Sequence, residues 1–151
     1  MLYLTFKAGD STYALETNRV ICIVPCVHLQ PRPDAPGCIA GILNLRGEPV
    51  VVVDLNMLIC REPCKRRLST RIIAVEMERG GRPPLKLGLM AASVAALMKS
   101  GSPEFEENAL QTPGAPYLGR MFREDGLLIQ IIDIDKIILE GMLRPDLSQA
   151  K

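Results

Sequence analysis

A turn glycine, six residues and then an aspartate occur twice, as Gly47-x6-Asp54 and Gly126-x6-Asp133. Each pair encloses an apolar run of strand length, and each aspartate stands where a short helix would need a cap. A second recurrence precedes the first: Leu15-x4-Val20 is matched by Leu89-x4-Val94, each leaving a hairpin. The offsets are 133 − 54 = 79 and 94 − 20 = 74, and a loop insertion accounts for their difference. The alternative is two unrelated hairpins that share a turn type. The repeat predicts two similar β lobes of about five short strands each, sheets small enough to curl closed and hide their edges.

The rest of the chain has the same grain. Leu2, Leu4 and Phe6 alternate with polar residues, Gly9-Asp10-Ser11 turns, and Tyr13-Ala-Leu15 returns, which is a hairpin. Val20–Val27 is a β-rich run ended by Pro31, Pro33 and Pro36. Runs 39–45 and 50–55 flank Arg46-Gly47-Glu48-Pro49, and Asp54 caps a short helix through Leu58. After a charged loop over 61–70, strands follow at 72–77 and 85–89, with a separate short apolar run at 93–98. Residues 100–116 form the longest irregular stretch. A last hairpin, 117–132, leads to Asp133, which caps a helix with Ile134, Ile137 and Ile138 on one face, ending at Gly141. We expect one domain over 1–143 with two lobes dividing near 61–70, strand exchange between them being possible, and a polar tail over 144–151.

Composition narrows the function. The net charge is +1 with acids and bases interspersed, so there is no general attraction to nucleic acid or membrane. The one basic knot, Lys65-Arg66-Arg67, reads as a solvated loop or a contact for a partner protein. No apolar run reaches the roughly 18 residues of a spanning helix, and the N-terminus lacks a signal-peptide pattern. The expected location is the cytoplasm. The five cysteines, Cys22, Cys26, Cys38, Cys60 and Cys64, are an odd number and are expected to be reduced thiols. Cys22, Cys26 and His28 on one strand would spread over about 13 Å, too far for one ion. No metal or other cofactor is expected.

Catalysis needs convergent polar groups, and one histidine with no nucleophile elbow, phosphate loop or metalloprotease motif offers few. Asp54 and Asp133 read as caps and not as an acid–base pair. What stands out is Arg46, set between two apolar strands and a glycine turn. Its stem is expected to lie on apolar surface, its guanidinium held toward a carboxylate or carbonyls.

The segment Gly41-Ile-Leu-Asn-Leu-Arg-Gly47 followed by Val50-Val-Val-Val-Asp-Leu55 closely resembles the signature of the CheW family, adaptors of bacterial chemosensory arrays. Phe6-Lys-Ala-Gly-Asp-Ser-Thr-Tyr-Ala-Leu15, Pro33-x2-Pro36 before Ile39-Ala-Gly41, Leu87-Gly-Leu89 and Asp125-Gly-Leu-Leu-Ile-Gln-Ile-Ile-Asp133 follow in family order, over residues 1 to about 140. The resemblance implies an all-β fold of two five-stranded β-barrels with short helices at strand ends and near the C-terminus. It implies no active site. The implied role is to bridge a methyl-accepting chemoreceptor's cytoplasmic tip and the regulatory domain of a CheA-type histidine kinase. The alternative is a β-barrel sensor of small molecules or metal using the cysteines.

The chain departs from the family pattern at three places. Val51 stands where a proline is common, with Pro49 earlier instead; Cys22 replaces a common acid; and Gly88-Leu-Met-Ala-Ala92 lacks a frequent aspartate. The candidate partner-binding residues are Val20, Cys22, Ile23, Asn44, Leu45, Arg46, Gly47, Pro49 and Gly88.

Overall fold

A computed structural model describes residues 2–32, 37–98, 105–106 and 114–137. Ten strands are present: β1 (Leu2–Ala8), β2 (Ser11–Glu16), β3 (Val20–Pro25), β4 (Ile39–Leu45), β5 (Glu48–Asp54), β6 (Arg71–Met77), β7 (Leu85–Met98), β8 (Phe105–Glu106), β9 (Leu118–Glu124) and β10 (Leu127–Ile132). One α-helix, α1 (Leu55–Cys60), and two 3-10 turns, Thr17–Arg19 and Ile134–Lys136, complete the described elements.

The strands form two five-stranded lobes. Lobe one has the order β4-β5-β7-β6-β3, and lobe two β7-β1-β2-β10-β9. Strand β7 serves both: Leu85–Ala91 pairs with β5 and β6, and Ala92–Met98 pairs with β1. The sequence predicts two separate runs here. They are one 14-residue strand, bent at Ser93, where φ is +55° and the register with β1 shifts. The lobes therefore exchange chain: the N-terminal hairpin β1–β2 sits beside β10, not beside β3.

The repeat holds pair by pair. Ile39↔Val53, Ile42↔Val51, Leu43↔Val50 and Leu45↔Glu48 in β4–β5 become Leu118↔Ile132, Met121↔Gln130, Phe122↔Ile129 and Glu124↔Leu127 in β9–β10, each residue displaced by 79. Cys38 and Tyr117 accept equivalent backbone bonds from Asp54 and Asp133, both 2.7 Å long. Each lobe also wraps back on itself through a short added segment. Gln30 bridges Ile42 through two backbone bonds of 2.8 and 2.9 Å, and Glu106 pairs with Met121, the counterpart of Ile42.

Why so many strands are continuous apolar runs follows from the packing. Successive side chains point to opposite faces of a strand, and in β5, β6 and the first half of β7 both faces are covered. In lobe one Val52, Ile72 and Met90 face the lobe interior with Leu29 and Leu43. Their neighbours Val53, Ile73, Val75, Leu87 and Leu89 face the other lobe, packing with Leu4, Phe6, Leu15 and Ile132. Lobe two is filled by Tyr3, Ala14, Phe122 and Ile129.

Both aspartates cap as expected. Asp54 Oδ1 accepts from the Asn56 and Met57 N–H groups at 3.0 and 3.1 Å, and α1 runs on to Cys60. Asp133 accepts from Asp135 N–H at 3.2 Å. The element it opens is a 3-10 turn through Lys136; the helix expected beyond it, from Ile138 to Gly141, lies outside the described residues, as does the 144–151 tail. Strand β3 ends at Pro25, short of the expected Val27, so Cys26 lies just past it and donates to Thr70 carbonyl at 3.2 Å. Proline has no N–H with which to continue a ladder.

Candidate protein-interaction surface

The hairpin β4–β5 turns through Arg46 and Gly47 alone, with φ of +52° and +85°. Positive φ at both central residues is the type I′ arrangement, whose twist matches that of the flanking strands. Asn44 Oδ1 accepts from Gly47 N–H at 2.8 Å and ties the tip from one side. Beside the tip, Lys86 Nζ donates to Glu48 Oε1 at 2.9 Å, linking β5 to the start of β7.

Arg46 differs from its expectation. Its side chain is exposed, and among the described residues no hydrogen bond or ion pair holds the guanidinium. The backbone is what is fixed. A two-residue turn projects its first side chain away from the sheet, so the arginine stem finds no apolar wall to lie on.

The pairing register gathers the other candidates unevenly. Asn44, Leu45, Gly47 and Pro49 share the tip with Arg46, and Asn44, Gly47 and Pro49 are exposed. Val20 opens β3 opposite Val75 at the same end of lobe one, half-buried against the core between the lobes. Ile23 is 43% exposed further along β3. Cys22 alternates to the other side of the strand and is half-buried. Gly88 is a correction: it is buried, and a Cβ there would meet Val52 Cγ2 at 3.0 Å and Ile72 Cγ2 at 3.1 Å. It makes room for packing and offers no surface.

Two features escaped the sequence reading. Ile21, 41% exposed, shares the exposed face of β3 with Ile23, two residues further on. The other is a clamp between the lobes. Arg19 Nη1 and Nη2 donate to Asp135 Oδ1 and Oδ2, both at 2.6 Å, and Asp135 Oδ1 also accepts from Glu78 N–H at 2.9 Å. Hydrogen bonding to Arg19 holds the Asp135 carboxyl below its ordinary pKa against the opposing effect of burial. The partners are 116 residues apart, and no local pattern announces such a pair.

The cysteines are free thiols. Cys64 is buried, and burial pushes its pKa up to about 11, which suits a packing residue and not a nucleophile. The carboxylates of Asp54 and Asp133 both accept backbone N–H bonds.

The molecule is a two-lobed all-β domain that carries an exposed arginine on a tight turn of one lobe. Comparison with known proteins gives its class. The CheW-like domain model matches residues 2–141, and the chain belongs to that family. Two relatives are Chemotaxis protein CheW of Thermotoga maritima, 20% identical over 137 residues (91% of this chain, 87% of the relative), and Chemotaxis protein CheW of Treponema pallidum, 24% identical over 144 residues (89% and 79%). Among solved structures, the scaffolding protein TtCheW of Thermoanaerobacter tengcongensis superposes with a TM-score of 0.71 at 26% identity, covering 91% of this chain and 85% of the other.

Proposed function

We propose that this protein is a non-enzymatic adaptor of a bacterial chemosensory pathway, coupling chemoreceptors to a CheA-type histidine kinase. The observation that carries this reading is the family match, continuous over residues 2–141. Residues 1–143 act as one unit. Its partners are the kinase's regulatory domain and the receptor's cytoplasmic tip, which places it in the cytoplasm. Among the described residues no helix is long and apolar enough to cross a membrane.

Coupling by such a protein is a binding effect: two docked partners are held in one geometry, and each alters the free energy of the other's states. We assign direct contact to Arg46, with Asn44, Leu45, Gly47 and Pro49 around it and Val20, Ile21, Cys22 and Ile23 along β3. A free guanidinium on a rigid turn loses little conformational freedom on docking, which favours its use as an anchor. The test is reconstitution of kinase activity from purified receptor, kinase and this protein. Receptor control of the kinase should appear only when all three are present. Control that is unchanged when this protein is omitted would refute the reading.

A further inference from the structure

Two clefts stand apart in their charge. One, about 520 Å³, is bordered by the Arg19–Asp135 clamp. The other, about 700 Å³, lies between β1, the bend of β7 and the loop over 61–70. Their electrostatics differ. In the first, Arg19 pairs with Asp135, and Lys136 stands 3.9 Å from Asp133. In the second, Lys7, Lys65 and Arg67 line the space with a single acid, Glu62. Among the described residues none of these three cations has a side-chain hydrogen bond or ion pair, and all three are exposed.

The loop is not free to rearrange around those charges. Cys64 N–H donates to Asp54 Oδ2 at 2.9 Å, and Asn56 Nδ2 donates to Glu62 carbonyl at 2.7 Å. The buried Thr70 hydroxyl accepts from Arg67 N–H at 2.9 Å and donates to Lys65 carbonyl at 2.7 Å. Lys65 and Arg67 are thereby anchored through their own backbone to one side chain. Ser93, with its φ of +55°, presents a hydroxyl from the opposite wall. Like charges gathered around one concavity repel; Glu62 is the one acid lining it, and the nearby Asp54 carboxylate is buried and taken up by the Asn56, Met57 and Cys64 N–H groups.

We propose that this cleft binds a compact oxyanion of the phosphate type carrying two or more negative charges. Arg67 supplies a planar fork for paired oxygens, Lys7 and Lys65 supply point charges, and the Ser93 and Ser69 hydroxyls supply neutral donors. The source of the charge is either a free polyphosphate or the phosphates of a nucleotide.

The experiment is calorimetric titration of the full chain with inorganic pyrophosphate and, separately, with ADP, in low salt. Saturable one-site binding of pyrophosphate is expected. Lys65→Gln and Arg67→Gln should each weaken it about tenfold, the scale of one lost charge-assisted hydrogen bond. Arg82→Gln, on an exposed loop elsewhere, should change nothing. Tighter binding of ADP than of pyrophosphate identifies a nucleotide, and the reverse order identifies a free polyphosphate. Absence of saturable pyrophosphate binding, or equal weakening by Arg82→Gln and Arg67→Gln, would overturn the proposal. Thermal melts of each variant without ligand, expected within about 2 °C of the parent because these side chains are exposed, separate lost binding from lost fold. The outcome does not bear on the adaptor role, which rests on other residues.

Discussion

The tips at Arg46-Gly47 and Asp125-Gly126 occupy equivalent places in the two lobes and have the same backbone, φ being +52° and +85° in the first and +52° and +77° in the second. The flanking registers coincide. Only the residue at the first turn position differs in kind. Asp tolerates the left-handed region through local hydrogen bonding, whereas a side chain such as Arg costs roughly 1 kcal/mol there. Since lobe two makes the same turn without that cost, the fold does not require arginine at position 46. The turn geometry leaves the choice of residue at position 46 open, which is the physical basis for proposing it as a partner contact.

The same comparison extends to the interior of the two hairpins. The counterpart of Gly41 is Arg120. Gly41, with φ of +150°, is crossed by the segment Leu29–Gln30, and a Cβ there would lie 2.8 Å from Gln30 carbonyl oxygen and 2.9 Å from Leu29 Cβ. Arg120 instead lies with its guanidinium 4.9 Å from the Phe105 ring centroid. Gly41→Ala should therefore destabilise the protein by about 3 kcal/mol, through a backbone clash and a disfavoured φ together. Arg120→Ala should cost about 0.5–1 kcal/mol, the value of an exposed cation–π contact. Urea unfolding of both variants is the measurement, and equal losses would break the inferred difference between the lobes.

Next in size is the effect on coupling. Arg46→Ala should lower receptor control of the kinase by about 2 kcal/mol, roughly thirtyfold in binding, as for an interface anchor. Asp125→Ala should leave coupling near the parent level. Both proteins should melt close to the parent, because neither side chain is buried. If Asp125→Ala is the more damaging, the working tip is on lobe two.

A third contrast is between Asn56 and Asp135, also 79 positions apart. Asn56 Oδ1 accepts from Gly9 N–H at 3.3 Å, reaching from lobe one to lobe two, and Asp135 makes the reciprocal bond to Glu78 N–H. One clamp is a neutral amide and the other a carboxylate paired with Arg19. Because the folded pKa of Asp135 is depressed, its stabilisation is complete above the ordinary carboxylate pKa, about 3.9, and is lost as pH falls through the lower folded value. Asp135 is 32% exposed, so the contribution is about 1 kcal/mol after solvent screening. Asp135→Asn should remove that amount at pH 7 and flatten stability against pH below about 4. An acid-unfolding profile identical to the parent's would show that the pair contributes nothing.

The smallest effect is the most diagnostic. Arg46→Asn should raise stability by about 0.5–1 kcal/mol, since asparagine suits a left-handed turn position, while weakening coupling as Arg46→Ala does. A variant that is more stable and less active cannot be explained by unfolding. A fall in stability would mean that the arginine has a structural role.

Local signals settled much of this protein. The alternation around Leu4 and Phe6, the turns within 46–49 and 124–126, and the aspartate caps at 54 and 133 depend on neighbours a few residues away, and their recurrence exposed the repeat. At position 46 the oddity of an arginine beside a glycine turn was visible, but the expected anchoring of its side chain on apolar surface was not met. Tertiary structure decided the rest. Gly88 was expected at the surface yet is buried because β7 passes between β5 and β6. The runs at 85–89 and 93–98 merged because β7 is shared by both lobes, and the hairpin β1–β2 crossed to pair with β10. Arg19 met Asp135, and Lys7 joined Lys65 and Arg67 around one cleft, only through that crossing. Hydrogen bonding and side-chain alternation act over a few residues and leave their mark in composition. Which strand neighbours which is set by the burial of both faces of the sheets, a property of the assembled lobes.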